Sequence, residues 1–113
     1  MAMTLDQLEK MFSNMRFEAG WDTDGELLWG YFFTDCDARK LEPVAEHLAL
    51  LGYRVVNIYP TDDRTTNLLH VEKVERHTPL SLHKRNGEFY DLAAQFGLES
   101  YDGMDVGPVP RTH

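Results

Sequence analysis

The sequence predicts an α+β fold: a βαββαβ core with one extra helix in front of it. Three observations predict it. Apolar residues recur at helical spacing in three segments, near residues 4–17, 38–51 and 78–96. Four runs rich in aromatic and β-branched residues alternate with the later two segments and are bounded by turn formers. The chain has 113 residues, the size of one domain over residues 1–113, so the seven elements must share one core.

The first helix runs from Thr4 to Phe17. Thr4 is an N-cap with Gln7 three residues on, and Leu5, Leu8, Phe12 and Met15 form one apolar stripe. Residues 18–26, EAGWDTDGE, break the pattern and form a loop. Leu27 to Thr34, LLWGYFFT, is the strongest strand, followed by Asp35 and Asp37 as caps for the next helix, Ala38 to Leu51. That helix buries Leu41, Val44, Ala45 and Leu48 and ends at Gly52. Pro43 within it removes a backbone donor, so the helix either starts late or kinks there. Tyr53 to Tyr59 and Asn67 to Glu75 are two strands joined by the turn-rich PTDDRT. Thr78 and Pro79 open a third helix, running to about Phe96, that buries Leu82, Phe89, Leu92, Ala93 and Phe96 and stops at Gly97. Leu98 to Met104 is a short last strand, and the tail GPVPRTH is loose. This order is the ferredoxin-like arrangement, a four-stranded antiparallel sheet with two helices on one face. The extra N-terminal helix of residues 1–17 is then expected to cover the open sheet face, or to pack on a second copy in a homodimer.

Composition narrows the function classes. The formal net charge is −8, the wrong sign for binding nucleic acid or an anionic membrane surface. Aromatics on the first strand could stack RNA bases, but the third strand reads NLLHVEKVE and lacks the basic consensus of RNA-recognition modules. A single cysteine, Cys36, and no secretory leader predict a reducing, cytoplasmic setting. Its flanking Asp35 and Asp37 disfavour a thiolate nucleophile. The histidines lie on separate elements without metal-ligand spacing, so no metal or cofactor is expected. His70 and Glu72 share a strand face and are the one acid–base pair the pattern offers. The acidic balance points instead to a protein partner.

The topology gathers Asp35, Asp37, Asp62, Asp63 and Glu99 at one edge of the sheet. Either they cap helices and turns, or they form a carboxylate patch that docks on a basic partner. Tyr101 and Asp102, in Tyr101-Asp102-Gly103, mark a turn or a recognition corner.

Trp29-Gly-Tyr-Phe-Phe-Thr34, the helix LEPVAEHLALLGYRVV, Leu92-Ala-Ala-Gln-Phe96 and Tyr101-Asp-Gly103 resemble the regulator of ribonuclease activity B, or ribonuclease E inhibitor, family over roughly residues 27–105. The chain departs from the best-known members in two ways: it stops after PVPRTH without their long acidic tail, and it reads Gly103-Met-Asp105 where they have Gly-Trp-Gly. The resemblance implies a ferredoxin-like bacterial protein that binds a ribonuclease and damps RNA turnover without chemistry of its own. Asp35, Asp37, Asp62, Asp63, Tyr101 and Asp102 are the partner-binding candidates. An immunity-type antagonist of another basic protein, or a small-molecule-binding or enzymatic domain on the same fold, are the alternatives.

Overall fold

A computed structural model of the chain describes residues Met3–Pro110. The elements are α1 (Leu5–Phe17), β1 (Leu27–Asp35), α2 (Ala38–Leu50), β2 (Arg54–Pro60), β3 (Asn67–Glu75), α3 (Pro79–Gln95) and β4 (Ser100–Gly107). The sheet is antiparallel with order β2-β3-β1-β4, so the longest apolar strand, β1, is central. This is the ferredoxin-like arrangement with one added helix.

The caps act as the sequence implies. Thr4 accepts from the Gln7 amide while Gln7 reaches back to the Thr4 amide, and Thr78 and Ser81 repeat this reciprocal pairing at α3. Asp37 caps α2. That helix starts at Ala38, not late, and Pro43 sits inside it. Both Pro43 and Arg39 face solvent, where water can satisfy the Arg39 carbonyl that loses its donor. β4 runs three residues further than expected, because Asp105, Val106 and Gly107 continue to pair with Gly30, Trp29 and Leu28. Of the tail, Gly107 is thus a strand residue, and residues 111–113 lie outside the described part.

Alternation along β1 sends Trp29, Tyr31 and Phe33 to the helix side, where each is almost fully buried. Leu69 and Val71 of β3 stand opposite Phe33 and Tyr31 in register and are equally buried. Phe89 of α3 meets Tyr31 at 4.9 Å and Phe33 at 5.3 Å, edge to face. Leu41, Val44 and Leu48 of α2 complete the layer.

The expectation that α1 covers the open sheet face does not hold. α1 packs beside α3 on the helix side, and its Phe12 stacks on Trp29 at 5.8 Å. The reason lies in the length of β1. Phe89 reaches Tyr31 and Phe33, whereas Trp29, two residues nearer the start of the strand, meets α1. Leu8, Phe12 and Met15 close that end. All three helices therefore line one face, and among the described residues the other face of the sheet carries no helix.

A polar network is embedded beneath the helices. The Tyr31 hydroxyl donates to Glu75 (2.8 Å), Arg85 donates to Glu75 (2.8 Å) and to the Tyr53 hydroxyl, and His77 Nε2 lies 3.0 Å from the Tyr31 oxygen. Burial alone would raise the Glu75 carboxyl, but hydrogen bonds from His77, Arg85 and Tyr31 outweigh it and hold it down from 4.5 to about 2. Burial pushes the Tyr53 phenol up to about 12.

Candidate functional site

The sheet edge at the end of β1 is knit by side chains from three loops. Asn67 donates to the carbonyls of Asp35 and Cys36, each at 3.2 Å. The Thr66 hydroxyl donates to Glu99 at 3.1 Å, joining the β2–β3 hairpin to the turn before β4. The ends of β1, the hairpin and the start of β4 do meet.

The predicted acids have different roles at this edge. Asp35 is 2% exposed, and its oxygens accept the amides of Asp37 (2.8 Å) and Glu99 (3.1 Å) with Lys40 at 3.5 Å. It holds the edge together from beneath and offers no free charge. Asp35, Cys36 and Glu99 bring one ligand atom each within 4.8 Å of one another. With both Asp35 oxygens engaged, this grouping is a junction between loops. Asp37 accepts the Arg39 amide at 3.0 Å, and a hydrogen bond from the Arg39 side chain holds its carboxyl below the ordinary value. Asp63 accepts from the Thr61 hydroxyl (2.7 Å), the Thr65 amide (3.1 Å) and the Thr65 hydroxyl (2.8 Å), which lowers its carboxyl too. These bonds brace a turn in which Arg64 takes a φ of 57°. Asp62 and Glu99 are exposed beside it. Asp37, paired with Arg39 at 3.2 Å, and the exposed Asp62, Asp63 and Glu99 thus lie at this edge with the buried Asp35.

Tyr101 and Asp102 lie elsewhere. Tyr101 is 3% exposed and its hydroxyl donates to Asn86 Oδ1 at 2.6 Å. Its ring packs on Phe33, Phe89 and Tyr90, and desolvation pushes its phenol well up. The β1–β4 register slips here: Phe33 pairs with Tyr101 and Phe32 with Gly103, leaving Asp102 as a bulged, exposed residue. Gly103 has a φ of +121°, a region that L side chains rarely adopt. The tripeptide is therefore a core anchor, a bulge and a glycine-dependent bend.

The open face of the sheet, which the sequence was expected to cover with the N-terminal helix, is left without it. Leu28, Gly30, Phe32 and Thr34 of β1 stand there beside Leu68, His70, Glu72 and Val74 of β3 and Asp105 of β4. His70 and Glu72 do share this face, but Glu72 is engaged by Arg54 at 2.7 Å and His70 stacks on Phe32 at 4.4 Å. They do not form an acid–base pair. Neighbours across strands depend on register, and only the two-residue alternation of β1 and β3 hinted at this face.

Among the described residues, no helix is long and apolar enough to cross a membrane. No curated protein matches the chain. A family model described as regulator of ribonuclease activity B matches residues 5–106. That match runs through all seven elements, from the first residue of α1 to the last but one of β4, and the chain belongs to the regulator of ribonuclease activity B family.

Proposed function

We propose that the chain is a non-catalytic cytoplasmic protein that restrains a ribonuclease of the ribonuclease E type by binding it directly. The family match over residues 5–106 carries this reading. The geometry supports it with exposed carboxylates at Asp62, Asp63 and Glu99, beside an Asp37 paired with Arg39, on a chain of net charge −8. Such a group steers a basic protein surface toward it and raises the association rate more than the final affinity.

The test is a tagged pull-down from host lysate at low and high salt, with mass spectrometry of what is retained, followed by binding kinetics on the captured protein. A ribonuclease retained at low salt and released at high salt is the expected result. The double variant D62K/D63K then associates about tenfold more slowly and with a flatter salt dependence, because exposed charges act through a screened field. Recovery of chaperones or the chain's own copies alone removes the ribonuclease reading. An unchanged association rate removes the acidic edge from it.

A further inference from the structure

The tripeptide Tyr101-Asp102-Gly103 borders a cavity that neither the core nor the acidic edge uses. It has a volume of about 180 Å³ and lies between α3 and β4. Asn86 and Tyr90, one helical turn apart, line it from α3, and residues 101–104 line it from β4. Met3, just ahead of α1, adds a further side chain. The register slip that makes Asp102 an extra residue of β4 lies in this wall.

Asn86 is a polar group that the fold leaves half used. It is 6% exposed, and its Oδ1 accepts the Tyr101 hydroxyl at 2.6 Å. That hydroxyl has no other acceptor among the described residues, which fixes Oδ1 toward it and turns the Nδ2 amide away. Nδ2 makes no hydrogen bond among the described residues, yet it is not sealed in. Among them, Trp29 Nε1 is the one sealed side-chain polar atom without a partner. The Nδ2 donors therefore face the cavity that Asn86 lines.

A donor in so narrow a space needs an acceptor. Among the described residues the lining holds no cation, so a carboxylate inside would face Asp102 with nothing to balance it. Asp102 itself is exposed and has no ion-pair partner among the described residues. An ammonium would bring donors to a donor, and a hydrocarbon would leave Nδ2 unpaired. A carboxamide matches the lining. Its carbonyl accepts from Asn86 Nδ2, and its N–H groups have the Tyr90 hydroxyl and the Asp102 carboxylate as acceptors. Its apolar body lies among Met3, Met104 and the Tyr90 ring, all half-buried, and the two thioethers adapt to its shape. The volume is below that of a drug-sized site, which limits the ligand to about one ring.

We propose that this cavity binds a small uncharged amide, a free molecule whose carbonyl oxygen accepts from Asn86 Nδ2. Such a site does not depend on the ribonuclease reading.

The probes are benzamide, benzoate and benzylammonium, which share a ring and differ in the head group. Each is titrated into the isotope-labelled full chain and followed by NMR, with the side-chain amide of Asn86 as the reporter. Benzamide is expected to move that amide together with the backbone amides of Tyr90 and Asp102. It should bind about tenfold tighter than either charged relative, the order of one well-made hydrogen bond. N86D keeps an acceptor for the Tyr101 hydroxyl and removes the donor, so it should weaken benzamide at least tenfold. Should N86D fail to fold, the head-group series, which needs no variant, decides alone.

Equal affinity for the three probes, tightest binding by benzylammonium, or full benzamide binding by N86D would each overturn the proposal. So would the absence of any shift up to the solubility limit of benzamide, which leaves the cavity to water. An acetylated, amidated Ala-Gln-Ala peptide that binds tenfold tighter than benzamide would give the site to a glutamine side chain of another protein and overturn its assignment to a free molecule.

Discussion

Replacing Tyr101 with phenylalanine separates a core role from a recognition role at a position where the sequence allowed both. The hydroxyl donates to Asn86 Oδ1 at 2.6 Å, and the two residues are only 3% and 6% exposed. Removing it deletes a hydrogen bond worth about 1 kcal/mol net and strands a buried amide oxygen, for a total of about 2 kcal/mol. At about 2.1 cal/mol/K per residue the chain unfolds with an entropy of roughly 0.24 kcal/mol/K, so the Tm falls by about 8 °C. The ring keeps its contacts with Phe33, Phe89 and Tyr90, so urea unfolding should show a lower midpoint with an unchanged slope. The double variant Y101F/N86L removes both polar partners and should recover at least half the loss. Partner affinity, measured well below the Tm, should match the unaltered chain, since Tyr101 is almost wholly buried. A tenfold loss of binding with the Tm moved by less than about 2 °C would refute this reasoning and return Tyr101 to the interface.

Two further outcomes follow from the same core. Because the Glu75 carboxyl is held down to about 2 from 4.5, the stabilisation it contributes is complete above the ordinary carboxylate range and is lost as pH falls from about 4.5 toward 2. In full that shift corresponds to about 3 kcal/mol; solvent at the rim of the network reduces it to roughly 2 kcal/mol. Urea titrations between pH 4.5 and 2 should therefore show a shallower pH dependence in E75Q than in the unaltered chain, and equal slopes would mean that the network does not hold the charge. F12A, which uncovers Trp29, should cost about 3–5 kcal/mol and open that indole to acrylamide quenching. An unchanged melting curve would mean that α1 does not pack on the domain.

The order of elements was legible because each has a local signature: three capped helices, the last with a proline in its first turn, and strands bounded by turn formers. What escaped was set by distances the sequence does not contain. The side on which α1 lies depends on where Trp29 emerges relative to α2 and α3, and an apolar stripe fits either face of a sheet. The tripeptide at residues 101–103 read as a turn or a recognition corner, and its bulge was not legible, since a bulge is a property of two strands at once. Among the acids expected at the edge, Asp35 is set apart by the amides of Asp37 and Glu99 that enclose it, which no residue pattern announces. The crowding at Gly30 was the least legible. It needs His70 and Asp105 from two different strands, and the slip at Asp102 decides which β4 residue stands beside Gly30.

The same geometry limits how a partner can approach. The inward faces of the three helices are committed to the core, while Phe17, Leu50 and Leu80 stay exposed on their outer faces. The two edge strands are poor templates for strand addition, because β2 is bulged at Val56 and ends in Pro60, while β4 is bulged at Asp102. The acidic edge and the open face adjoin: the Thr34 and Ser100 hydroxyls, 2.7 Å apart, lie between Gly30 and the loops beyond Asp35, so a body that docks on one borders the other.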